Sequence, residues 1–223
     1  MRAPPDTPIL VQCDFDDTVT VGNVSTAVRD EFCQVDWRTM EDEYLAGKYS
    51  VEESNVRQFG LIVADREEIE EFVVGDVVVR YAFDDFVDYC RGVGIRLVIV
   101  SSGLDLYIRP IMRQLGLEDL EVFSGSADVA SDGIRVEYSD PSGAPITSGF
   151  KESYLRHFQC QGNAVVYVGD GLSDIVPAQK ADFVIARSTL REHLTGRGVS
   201  HFAFETFNDV GTHVEEVRQR LRG

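Results

Sequence analysis

The residues with the plainest chemical content form one acidic run, Asp14-Phe15-Asp16-Asp17-Thr18, directly after the apolar stretch Ile9 to Cys13. Taken alone, such a run is compatible with an Asx-turn or a helix cap. Three later groups argue for more. Ser101-Ser102-Gly103 follows the apolar stretch Ile95 to Val100, Lys151 heads a helical segment, and Gly169-Asp170-Gly171-Leu172-Ser173-Asp174 follows Ala164 to Val168. Carboxylates, hydroxyls, an ammonium and approachable backbone N–H groups are what phosphoryl transfer requires, because that chemistry depends on positioning and charge neutralisation. An aspartate is ionised at neutral pH and can attack phosphorus itself, which makes Asp14 the candidate nucleophile and an acyl phosphate the intermediate. Asp16 is the candidate acid and base, a role that needs a raised pKa. A Mg2+ ion held by Asp14, Asp170 and the main-chain carbonyl of Asp16 would offset the repulsion between nucleophile and phosphate, with Asp174 as an outer partner. Ser101, Ser102, Gly103 and Lys151 are the candidate phosphate cradle. Read singly, Ser101 could as well cap a helix and Lys151 could be a solvated surface residue.

These groups need elements that bring them together. Ile9 to Cys13, Ile95 to Val100, Ala164 to Val168 and Phe183 to Ala186 are short, rich in β-branched residues and unalternating, as parallel strands covered on both faces are. Helical spacing falls between them: Leu104, Tyr107, Ile108, Ile111, Met112 and Leu115 share one face, closed by Gly116. Pro110 within that pattern implies a kink or a later helix start. The alternation predicts an α/β fold, a doubly wound parallel sheet of Rossmann-like type, with ligands bound outside the carboxyl ends of its strands. From Asn23 to about Gly75 strand patterns vanish. Amphipathic segments run instead over Val24 to Val35, Trp37 to Leu45, Val51 to Val63 after a Ser50 cap, and Asp65 to Val73. The expected division is a core of residues 1–19 and 80–223, with residues 20–79 forming a small helical cap over the site.

Composition narrows the partners. In 223 residues, 21 basic against 38 acidic side chains give a net charge of -17, which disfavours nucleic acid and anionic membrane and favours a small-molecule phosphate monoester bound by local positive charge. No apolar run approaches a membrane span, and the polar, proline-rich stretch Met1 to Pro8 has no signal-peptide core, so the expected location is cytoplasmic. Cys13, Cys33, Cys90 and Cys160 are far apart and are expected to be reduced core thiols. The four histidines have no metal-ligand spacing.

With these residues in view, the sequence resembles the haloacid dehalogenase superfamily of phosphatases. The DxDxT motif at Asp14 to Thr18, Ser101, Lys151, and GDxxxD ending at Asp174 occur in that family's order. The resemblance implies the aspartyl-phosphate route and the magnesium ion. An insertion after the first motif resembles the cap of the phosphoserine phosphatase branch. That branch has a Glu where the register gives Asn23 and a cap Arg where it gives Gln58, with Arg57 adjacent, so Asn23, Arg57 and Gln58 are the candidates for substrate selection. The runs Trp37 to Ser54 and Ser101 to Leu117 are more similar to the methionine-salvage 2-hydroxy-3-keto-5-methylthiopentenyl-1-phosphate phosphatases. Val24, Phe59 and Tyr107 would then either receive a methylthio group or pack in the core. A receiver-type phosphoaccepting switch gathers similar groups, but it has no use for an acid and base at Asp16. A phosphomutase shares that acid and base.

Overall fold

The computed structural model describes residues 7–222, so most of the stretch Met1 to Pro8 lies outside the described residues. The strands are β1 (Ile9–Cys13), β2 (Thr20–Val21), β3 (Val78–Val79), β4 (Arg96–Leu104), β5 (Glu121–Ala130), β6 (Gly133–Glu137), β7 (Ala164–Gly169), β8 (Phe183–Ala186) and β9 (Phe202–Ala203). The helices are α1 (Val24–Phe32), α2 (Arg38–Leu45), α3 (Val51–Phe59), α4 (Arg66–Asp76), α5 (Phe83–Val93), α6 (Asp105–Gln114), α7 (Phe150–Cys160), α8 (Ile175–Ala178), α9 (Ser188–Gly196) and α10 (Phe207–Arg222). One seven-stranded sheet has the order β6-β5-β4-β1-β7-β8-β9 and is parallel except at β6, which pairs antiparallel with β5.

The two strands most central to the site, β1 and β7, are buried along nearly their whole length, which is why their sequences carry no alternation. One polar residue interrupts β1. Gln12 is fully buried, and its side-chain amide donates to the Lys151 carbonyl at 2.9 Å, tying the start of α7 to the central strand. Helices α1 to α4 lie between β2 and β3, which pair with each other antiparallel and form the two stems of the insertion. The insertion is bonded to the sheet module at separate points. Asn55 of α3 donates to the Ser102 carbonyl at 2.7 Å, Glu52 of α3 accepts from the Phe150 N–H at 2.9 Å, and Arg66 of α4 donates to the Ala127 carbonyl at 2.9 Å.

Several expectations need correction. Strand β4 does not stop at Val100 but continues through Ser101, Ser102 and Gly103 to Leu104, with its register against β5 shifting between Val100 and Leu104. Helix α6 begins at Asp105 and contains Pro110, so the proline does not delay its start; it removes only one internal N–H bond. No hairpin β5–β6 is expected from the sequence, because β5 is a half-exposed strand whose inward face includes the small residues Gly125 and Ala127, so its apolar alternation is weak. Cys160, at the end of α7, is exposed rather than in the core, whereas Cys13 and Cys90 are buried; the four thiols are unpaired. Among the described residues no helix is long and apolar enough to cross a membrane.

Candidate active site

Because β4 and β7 flank β1, the segments that follow these three strands meet at one edge of the sheet. Asp14 emerges from β1 with its N–H bonded to the Val168 carbonyl of β7 at 2.9 Å. Lys151, in the first turn of α7, reaches Asp14 at 2.7 Å and Asp174 at 2.6 Å, and it also donates to the Ser173 hydroxyl at 3.0 Å. It is therefore a buried bridge between carboxylates and not a solvated surface residue. Asp14, Asp16, Ser101, Ser102, Gly103, Lys151 and Asp170 line one cavity of about 210 Å³, together with Asn23, Arg29, Glu41 and Asn55 from the insertion. The Ser101 hydroxyl accepts the Gly103 N–H at 2.9 Å, while the buried Ser102 hydroxyl has no hydrogen-bond partner among the described residues.

The charges explain themselves by crowding. Asp14 is pushed well above the usual carboxylate range, first by burial and next by Asp174, with Lys151 acting in the opposite direction. Asp170 rises to about 7, through burial and then Asp174. Burial alone would weaken Lys151 as a base, but Asp14 and Asp174 more than offset it and hold the ammonium firmly charged. One lysine thus serves three buried aspartates, and replacing it by a neutral residue would leave carboxylates uncompensated at a cost of about 3–5 kcal/mol.

Asp14, Asp170 and Asp174 present carboxylate oxygens within 4.8 Å of one another. This all-oxygen donor set with surplus negative charge fits a hard divalent cation such as Mg2+. Asp174 is already engaged: one oxygen accepts from Lys151 and the Tyr167 hydroxyl, the other from the N–H groups of Asp170 and Gly171. A direct ligand role is better suited to Asp14 and Asp170, and none of the described hydrogen bonds ends on the Asp16 carbonyl. Gly169 is required beside this cluster, since a Cβ there would stand 2.7 Å from the Asp174 carboxyl carbon.

Asp16 is held from two sides. One oxygen accepts the N–H groups of Val24 at 2.8 Å and Ser25 at 3.3 Å, at the N-terminus of α1, and the other accepts the Tyr107 hydroxyl of α6 at 2.6 Å. Burial raises its pKa, and the three donors, Tyr107 foremost, limit the rise. Gly103 has a second reason to be glycine besides backbone approach, because a Cβ there would fall 2.7 Å from Asp16 Oδ2. The adjoining turn carries Asp17 at φ 56, a left-handed conformation. Arg80 stabilises it by donating to the carbonyls of Asp17 (2.8 Å), Thr18 (2.8 Å) and Thr20 (2.9 Å), and Arg187 adds a bond to the Asp17 carbonyl at 2.7 Å.

Of the selection candidates, only Asn23 borders the cavity, where it also caps α1 through the Thr26 N–H. Arg57 points elsewhere, 3.9 Å over the Tyr49 ring, and Gln58 is buried against Glu41 and Ser54. Val24, Phe59 and Tyr107 are core residues and do not line the cavity; its apolar wall comes from Leu45, Val51 and Leu172. Arg29, Glu41, Tyr107 as a hydroxyl donor, and Arg80 were not identified from sequence. A lone arginine or glutamate carries no local signal, although the Arg29 position beside the apolar face of Val24, Val28 and Phe32 marks it as a residue at the edge of a buried surface.

The family model described as haloacid dehalogenase-like hydrolase matches residues 11–177, and the chain belongs to that family. It is 30% identical over 217 residues to a 2-hydroxy-3-keto-5-methylthiopentenyl-1-phosphate phosphatase of Brevibacillus brevis, covering 96% of this chain and 98% of the relative. It is 31% identical over 214 residues to the protein of the same name from Geobacillus thermodenitrificans, covering 94% and 96%. The fold is similar to a substrate-bound phosphoserine phosphatase complex, with a TM-score of 0.68 at 19% identity, covering 92% of this chain and 98% of that one.

Proposed function

We propose that the chain is a magnesium-dependent phosphatase that cleaves a small phosphate monoester through an aspartyl phosphate on Asp14. The observation that carries this reading is the convergence of Asp14, the Ser101–Gly103 segment, Lys151 and Asp170 on one cavity beneath the helical insertion. Asp14 attacks phosphorus and the bond from phosphorus to the ester oxygen breaks. Asp16 donates a proton to that departing oxygen, which leaves as an alcohol or enol. Asp16, now a carboxylate, takes a proton from water as the water oxygen attacks the acyl phosphate, and the bond from phosphorus to Asp14 breaks to regenerate the enzyme. Lys151 fixes the Asp14 carboxylate throughout, and the Ser101 and Ser102 hydroxyls with the N–H groups of that segment receive the phosphate oxygens. Asp14, Asp170 and the Asp16 carbonyl, with Asp174 behind them, would hold a magnesium ion, which would supply the charge neutralisation that lets a carboxylate approach a phosphate.

In this reading residues 20–79 act as a cap that excludes water from the acyl phosphate, and the core is 1–19 with 80–223. The substrate is the methionine-salvage enol phosphate named for the relatives, supported by their similarity along nearly the whole chain and by Leu45 and Val51 in the cavity wall. Phosphoserine is a second reading, favoured by Glu41 and Arg29 in the same cavity, which complement an ammonium and a carboxylate. The four unpaired thiols support a cytoplasmic location. Phosphate release from a panel containing both esters, with and without magnesium, tests the reading. Asp14→Asn should reduce turnover by on the order of 10⁴-fold or more; retained activity in that variant would remove the nucleophile from this scheme.

A further inference from the structure

The cavity contains a cation that the phosphoryl chemistry above does not use. Arg29 of α1 is only 4% exposed. Its guanidinium lies 4.6 Å over the Trp37 ring, from the connection between α1 and α2, and 5.7 Å from the Phe59 ring of α3. Its hydrogen bonds are few and long: 3.4 Å to the Asn55 side-chain oxygen and 3.3 Å to the Thr26 hydroxyl. Nε is buried with no partner at all. Burial lowers its pKa, opposed most by the charge of Glu41, yet Glu41 spends an oxygen on Gln58 and forms no ion pair with Arg29 among the described residues. An arginine stays charged under these conditions, and a buried cation whose five donors meet only two weak acceptors is costly until a ligand supplies an anion.

The place of that ligand is defined by the same contacts. Asn55, the acceptor for Arg29, donates to the Ser102 carbonyl at 2.7 Å and to nothing mobile, since its other bond is with the buried Tyr138. The cation is therefore fixed relative to the phosphate cradle. We infer that Arg29 is the specificity-determining residue of this site, and that it binds a planar pair of oxygens on the organic part of the phosphate ester. This deepens the phosphatase reading and rests on it. Adjacent keto and enol oxygens present such a pair, and so does a carboxylate; both match the fork of a guanidinium and neither matches a point charge. Of the candidates that the branch resemblance offered, Arg57 and Gln58 do not line the cavity, and Asn23, which does, carries no charge; Arg29 is the arginine that lines it.

The test compares kcat/KM in wild type, Arg29→Gln and Arg29→Lys for three magnesium-supplemented substrates: the keto-enol phosphate, phosphoserine, and phenyl phosphate, which has no oxygen pair. The quantity read is each ester's kcat/KM divided by that for phenyl phosphate. Loss of a charge-assisted, two-point contact should lower that ratio about 10- to 100-fold in Arg29→Gln, chiefly through KM, for whichever ester supplies the pair. Arg29→Lys should recover less than half of the loss on a logarithmic scale, and it carries the test by itself if the Gln variant does not fold. The ester with the larger fall identifies the source of the oxygens. An unchanged ratio in both variants, or wild-type turnover of phenyl phosphate without preference for either oxygen-bearing ester, would overturn the assignment while leaving a phosphatase. No phosphate release from any of the three would overturn the phosphatase reading itself.

Discussion

Protons and magnesium should compete for the site, and the structure sets the scale of that competition. Asp170 titrates at about 7 because burial and the adjacent Asp174 oppose its ionisation. A protonated carboxyl cannot ligate a cation, so binding must expel that proton. For one such proton the apparent Kd for Mg2+ is about tenfold weaker at pH ~6 than at pH ~8, and about ninetyfold weaker at pH ~5. Asp14, which burial also raises, steepens the dependence. Titration calorimetry of the metal-free wild type in two buffers of unlike protonation enthalpy counts the protons released. The expectation is ~0.9 per ion at pH ~6 and ~0.1 at pH ~8. The same shift has a consequence for folding. Since the folded pKa lies above the ordinary 3.8, the Asp170 proton favours the folded chain fully below that value, and the contribution is lost as pH rises through about 7. Its upper bound is about 4 kcal/mol. The metal-free protein should therefore melt at a lower temperature at pH ~8 than at pH ~5, and magnesium should restore more stability at the higher pH. An affinity that is flat from pH ~6 to ~8 with no proton release would refute the crowding of carboxylates as the basis of metal binding.

Other residues make independent predictions. Tyr107→Phe removes the donor that most limits the Asp16 pKa, so the limb of the pH–rate profile set by the acid should move to higher pH, and kcat should fall about tenfold. Gly103→Ala forces a Cβ to 2.7 Å from Asp16 Oδ2; urea unfolding should register about 1–3 kcal/mol of lost stability, with activity falling further than stability does. Arg80→Ala withdraws three backbone bonds from the turn that holds Asp17 at φ 56, and chemical denaturation should show a loss of about 3 kcal/mol or more with the KM of the surviving folded enzyme raised.

What was legible in the sequence was whatever is local. Asp14 and Asp16 announced themselves by following an apolar strand, and Asp170 by doing the same, because parallel strands buried on both faces have a composition of their own. Once those strands were ordered in one sheet, their carboxyl ends had to meet. The four helices of the insertion were equally plain from their apolar spacing and from the Ser50 cap, which the structure retains as a capping box with Glu53. What failed was whatever depends on partners distant in the chain. Arg29 is buried only because Trp37 and Phe59 close over it, and Arg80 matters only because a turn 60 residues earlier presents its carbonyls to it. The β5–β6 hairpin failed for a different reason: the inward positions of β5 include Gly125 and Ala127, small residues too weakly apolar for the alternation with Ser124, Ser126 and Asp128 to stand out.

The bonds between the insertion and the sheet module bear on how such a protein can diversify. The first N–H groups of α1 hold the carboxyl of Asp16, Asn55 of α3 holds the Ser102 carbonyl, and Glu52 of α3 receives the first N–H of the helix that bears Lys151. The insertion is thus bonded to Asp16, to the Ser101–Gly103 segment and to the start of the helix that bears Lys151 at once. Swapping helices α1 to α4 for those of a relative would exchange the cavity wall they supply and also the hydrogen bonds that set the acidity and alignment of Asp16 and its neighbours. A chimaera that keeps these bonds would need its junctions after Ser25 and would need to retain Glu52 and Asn55, because the same few side chains that belong to the insertion also fix the geometry of the segments after the strands.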